Sequence, residues 1–69
     1  MNVREYLREN DLRITWLQAQ LQTRGIDVEL SHLFRIINGE RQSDRALEIL
    51  GECRDICRIY DTLKKAMMK

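Results

Sequence analysis

The sequence predicts an all-α fold: one small domain of about four helices, closed by a long C-terminal helix. Apolar residues recur at helical spacing in three stretches: Leu17 and Leu21, then Leu33, Ile36 and Ile37, then a run from Ala46 to Met67. Proline is absent, and two of the three glycines, Gly25 and Gly39, stand where such stretches end. The composition is 33% charged and 43% hydrophobic with only four aromatic residues, as in a small helical protein. A chain of 69 residues buries only about 60% of its unfolded surface. Small scaffolds of this kind usually lean on a staple, a metal or a partner subunit.

Residues 2–10 form the first helix, with Asn2 as its N-cap. Val3, Tyr6 and Leu7 face inward, and Arg4, Glu5, Arg8 and Glu9 supply the wet side. Asn10-Asp11 signals a turn, after which Leu12 and Ile14 tuck against the first helix. The second helix covers 15–24, capped by Thr15 and ended by Arg24-Gly25. Trp16 sits on its flank and is expected to pack against helix one or four. Ile26 and Val28 anchor the following turn in the core.

The third helix, 29–38, sorts its side chains at 100° per residue. Leu33, Ile36 and Ile37 share one sector; Leu30, Ser31, Phe34, Arg35 and Asn38 lie opposite. His32 falls at the edge of the inner sector, where a packed neutral histidine is expected. Gly39 stops the helix. A polar loop over 39–45 follows, carrying Arg41 and Arg45, with Ser43 or Asp44 as the next N-cap.

From Asp44 to about Met67 the pattern is one helix. Ile49, Cys53, Ile56, Tyr60, Leu63 and Met67 follow a spacing of four, three, four, three, four. Twenty-four residues at about 1.5 Å each make a rod of roughly 36 Å, longer than a three-helix head needs as cover. Its far half is expected to be left bare unless a second chain covers it. A homodimer is therefore expected, with Ile56, Ile59, Tyr60, Leu63 and Met67 at the interface. The alternative is a helix that bends at Gly51 and folds onto its own core; glycine there weakens a helix by about 1 kcal/mol relative to alanine.

The run Thr15-Trp16-Leu17, Leu21, Arg24-Gly25-Ile26, Val28, Leu33, Ile36, Asn38-Gly39 and Arg41 resembles small Cro/repressor-type helix-turn-helix proteins of phages and bacteria, the XRE-like or lambda-repressor-like group. The resemblance covers roughly residues 12–50, and its most specific part is Ile-Ile-Asn-Gly followed by a basic residue. It implies a helix-turn-helix over 15–38 that reads double-stranded DNA as a transcriptional repressor. Leu30, Ser31, Phe34 and Arg35 then hold the base-facing positions, and Thr15, Asn38, Arg41 and Arg45 the phosphate-facing ones. Arginine suits guanine O6 and N7, and leucine or phenylalanine suits a thymine methyl. The sequence departs from that family at Glu29, where relatives place a serine or threonine cap. The alternative is a protein-interaction module of the same fold, of antirepressor or repressor-partner type, that uses Leu30 and Phe34 against a protein partner.

Twelve Lys and Arg against eleven Asp and Glu leave a net charge of +1, so no basic footprint marks the chain as a whole. No glycine-rich phosphate loop, acid–base pair or nucleophile with a base is present, so an enzyme is not expected. No cofactor or small-molecule ligand is legible. Cys53, Cys57 and His32 fall short of a four-ligand zinc site, and the two thiols read as small buried apolar groups. No apolar run is long enough to span a membrane, and the first residues lack the apolar stretch of a secretory leader. A cytoplasmic protein fits that pattern.

Overall fold

The computed structural model describes residues 1–68 and contains four helices: α1 Val3–Glu9, α2 Ile14–Thr23, α3 Leu30–Ile37 and α4 Asp44–Met67. Among the described residues there is no strand, so the fold is all-α with a long last helix. Helix α4 alone is about 36 Å long by its rise per residue, and it sets the 40 Å long axis of a molecule otherwise 23 by 18 Å.

The first three helices end in the same way. At each end a residue in the left-handed region reverses the chain: Asp11 (φ 55°), Gly25 (φ 79°) and Gly39 (φ 80°). The next amide then donates back across the last turn, Leu12 to the Leu7 carbonyl at 2.8 Å, Ile26 to Leu21 at 2.9 Å and Glu40 to Arg35 at 2.9 Å. This bonding satisfies carbonyls that the helix end would otherwise orphan. In the first two cases it also swings an apolar residue, Leu12 or Ile26, onto the core.

Starts are less uniform. Asn2 caps α1 by accepting from the Glu5 amide at 3.1 Å, and Ser43 caps α4 by accepting from the Ala46 amide at 3.2 Å. Thr15 does not cap α2: that helix begins one residue earlier, at Ile14, with Arg13 in the cap position and no side-chain cap. The physical reason is the reversal at Asp11. It returns Leu12 to the core within two residues, so Arg13 is already extended and Ile14 opens the helix half-buried.

One core holds the elements together: Val3 and Leu7 from α1, Leu17 and Leu21 from α2, Val28 from the turn, Leu33 and Ile36 from α3, and Ala46, Ile49, Cys53, Ile56 and Cys57 from α4. Both cysteines are free and buried, and burial pushes the Cys53 thiol up to about 12 and the Cys57 thiol in the same direction. Helix α4 stays helical through Gly51, whose surroundings are open. Its first half roofs the core and its second half extends past it. There α1 covers one flank: the Tyr6 hydroxyl donates to Asp61 at 3.2 Å, and the Lys64 ammonium reaches the Asn10 side chain. Tyr60 lies between Tyr6 and Trp16, edge-on to both, with centroids 6.4 and 5.3 Å apart. Trp16 thus packs against helix four, as its flank position implies.

Candidate nucleic-acid interface

Helix α3 is held from one side only. Leu33 (0% exposed) and Ile36 lock it against α2 and α4, and Ile37 is half-buried beside them. The turn before it is pinned twice: Val28 is buried, and the Gln18 amide nitrogen donates to the Val28 carbonyl at 3.0 Å. The opposite face is bare. Leu30, Ser31, Phe34 and Arg35 are all exposed, Phe34 by 50%. Because α3 is only eight residues long, its two faces are set by two turns of helix and nothing else.

Two open hollows flank this helix. One, of about 570 Å³, is lined by Ile14, Leu30, Ser31, Phe34, Arg35 and Glu40. The other, of about 310 Å³, is lined by Glu29, Ser31, His32, Arg35 and Arg41. Ser31 and Arg35 border both and so stand on the crest between them. Among the described residues the Arg35 guanidinium has no ion-pair or hydrogen-bond partner, which leaves its donors available to a ligand. His32 is exposed rather than packed. It falls beyond the edge of the short inner stripe, and the loop after Gly39 does not cover it.

The phosphate candidates are distributed unevenly. Thr15 is exposed in the first turn of α2, where the leading N–H groups have no side-chain cap. Arg13 stands beside it, exposed, a basic residue the sequence reading passed over; its position just before a helix start is the one signal that could have found it. Arg41 is exposed, and Arg45 is exposed with only a loose 3.6 Å approach to Glu48. Asn38 differs: it is half-buried at the end of α3, with its carbonyl oxygen turned inward and unpartnered among the described residues. It therefore does not present its whole amide to the same surface.

The residues expected at a dimer interface also divide. Ile56 is 5% exposed, within the core of its own chain, and Tyr60 is half-buried in the aromatic cluster. Ile59, Leu63 and Met67 remain exposed. Arg24, read from sequence only as the end of α2, instead bridges to α4: its guanidinium meets Glu52 at 2.6 Å and Asp55 at 2.9 Å. Those two carboxylates raise its pKa, Asp55 contributing most. Partial exposure limits such a bridge to about 1 kcal/mol.

Among the described residues, no helix is long and apolar enough to cross a membrane, and no three His, Cys, Asp or Glu side chains gather as a metal ion would need. Comparison of the chain with family models, with curated proteins and with solved structures returns no match in any of the three.

Proposed function

We propose that this chain is a sequence-specific DNA-binding transcriptional regulator, a small repressor that reads the major groove with α3. The observation that supports it most is the uncovered outer face of α3, with Arg35 unpaired on its crest. A helix held by an inner stripe, with a mixed polar and apolar outer face, has the form that groove insertion uses. Arg35 offers two parallel donors to guanine, Ser31 a donor or an acceptor, and Leu30 and Phe34 apolar contact to thymine methyls. The uncapped start of α2 with Arg13 and Thr15, together with Arg41 and Arg45, supplies phosphate contacts on either side; these position the helix without reading sequence. Glu29 and Glu40 beside the reading face oppose the phosphates, which holds non-specific affinity down.

Selection of bound sequences from random duplex DNA, followed by gel-shift titration of wild type and Arg35→Ala, tests this reading. Removal of a base-reading arginine costs about 1–3 kcal/mol and relaxes preference at one position. Equal affinity and an unchanged preference would remove Arg35 from the reading face.

The apolar lining of the larger hollow by Ile14, Leu30 and Phe34 favours a second reading, in which the same face binds a protein. Salt separates the two. Binding through six or more phosphates weakens by about 10³-fold or more between roughly 50 and 200 mM salt, whereas an apolar protein contact changes little.

A further inference from the structure

We propose that Gln18 is a positioning residue: its hydrogen bond to the Val28 carbonyl fixes the first half of α3 and so sets how Leu30 and Ser31 meet their ligand. That half of the helix has little else to hold it. Glu29, Leu30, Ser31 and His32 are all exposed, and the first buried side chain within α3 is Leu33, followed by Ile36 and the half-buried Ile37. The packing anchors of α3 therefore lie in its second half, and Val28 alone packs at its entry. Nor is the start of the helix capped by a side chain, since Glu29 accepts no bond from it.

Hydrogen bonding gives the same picture. Backbone bonds close the end of α2 as far as Ile26, and they resume inside α3 with the Leu33 amide donating to the Glu29 carbonyl at 2.8 Å. Among the described residues, the one hydrogen bond that ties residues 27–32 to another element is that of the Gln18 amide nitrogen to the Val28 carbonyl, at 3.0 Å. This carbonyl precedes the helix and has no place in its internal ladder. Gln18 stands midway along α2, between the fully buried Leu17 and Leu21, so the donor comes from a well-anchored element. It grips the main chain rather than one side chain, and so holds the whole entry to α3.

Without this tether α3 is free to turn about Leu33 and Ile36. Displacement then grows toward the N-terminus of the helix: Leu30 and Ser31 move most, and Arg35, next to the Ile36 anchor, moves least. Recognition needs its side chains placed to within about 0.5 Å, so a rotation too small to unfold anything degrades it. Arg13, Thr15, Arg41 and Arg45 lie outside the tethered segment, which leaves phosphate contact as it was. The consequence for base preference rests on the DNA-reading proposal; the tether does not.

Two measurements on Gln18→Met, which keeps the side chain's length and removes its donor, provide the test. Gln22→Met, exposed on the same helix, is the control. Without DNA, amide exchange at Leu33 is expected to quicken about fivefold, the weight of one hydrogen bond. The Asn38 amide at the other end of α3, bonded to the Phe34 carbonyl at 3.1 Å, is expected to keep its rate. With DNA, Gln18→Met is expected to flatten by about fivefold the preferences that Leu30→Ala and Ser31→Ala flatten. The preference lost in Arg35→Ala, and the affinity for random duplex, are expected to stay. Unchanged exchange at Leu33, equal quickening at Leu33 and Asn38, or the same changes in Gln22→Met would each overturn the tether. Faster Leu33 exchange with every base preference intact would overturn its role in reading. An empty DNA selection would overturn the DNA reading and the consequence drawn from it, while the exchange rates still decide the tether on their own.

Discussion

The outer face of α3 and the far half of α4 both leave apolar side chains open, and they differ in what is interleaved with them. On α3, Leu30 and Phe34 alternate with Ser31 and Arg35, and Glu29, His32, Glu40 and Arg41 ring them. Every apolar side chain there has a hydrogen-bonding neighbour within one turn. On α4, Ile59, Leu63, Ala66 and Met67 share one sector with no polar side chain between them; Arg58 and Thr62 border it, and the Thr62 hydroxyl donates back to the Arg58 carbonyl of its own helix. A surface of the first kind can match the alternating methyls, donors and acceptors of base edges. A surface of the second kind acts chiefly by excluding water, with polar groups only at its border. Exposure by itself therefore says little about use; the pattern of polar groups within it says more.

Neighbouring residues on opposite sides of each helix offer the largest way to break that contrast. Leu33→Ala and Ile56→Ala, both in the core, are each expected to lower unfolding free energy by about 2–5 kcal/mol. Phe34→Ala and Ile59→Ala, on the exposed sides, are expected to stay within about 0.5 kcal/mol. Chemical denaturation of the four variants checks this, and a costly Phe34→Ala would mean that α3 is covered after all.

Glycines sharpen the comparison at smaller magnitude. Gly51→Ala is expected to stabilise by about 1 kcal/mol, since α4 is helical there and open space surrounds the added methyl. Gly25→Ala is expected to destabilise by a similar amount, about 1 kcal/mol, because its backbone is left-handed. Thermal unfolding separates the two signs, and a destabilising Gly51→Ala would show that α4 needs a bend at that point.

The smallest effect is one of pH, where α1 meets the far half of α4. Burial, then the hydrogen bond to Asp61, raises the Tyr6 phenol from its ordinary 10 to about 12. The neutral phenol therefore stabilises the fold fully below pH 10, and that contribution is lost as the pH climbs through about 12. An alkaline titration followed by tyrosine absorbance is expected to show one phenol ionising near 12, absent from Tyr6→Phe. If the Tyr6 phenol ionises near 10 instead, α1 does not dock as described.

Much of the fold was legible because its causes are local. The caps at Asn2 and Ser43, the reversals at Gly25 and Gly39, and the inner stripe of α3 each depend on residues within one or two turns of one another. Thr15 misled for an equally local reason. It is a good cap residue, but the left-handed Asp11 upstream had already returned the chain to helix at Ile14. His32 misled because a sector drawn on a helical wheel has an edge, and only the packing of its neighbours says on which side of that edge a residue falls.

What the amino-acid order determined by itself is the set of four helices, the glycine stops of α2 and α3, and most of the residues that could face a core or a ligand, since these follow from short-range sterics and periodicity. Only the tertiary structure decided which of those faces stay open. Arg24 was claimed by Glu52 and Asp55 from a distant helix, Ile56 was drawn into the core and Tyr60 was clamped between Tyr6 and Trp16, while Arg35 was left unpaired. Such outcomes join residues some 28 to 54 positions apart, and contacts at that range depend on how whole helices cross, which no local pattern specifies.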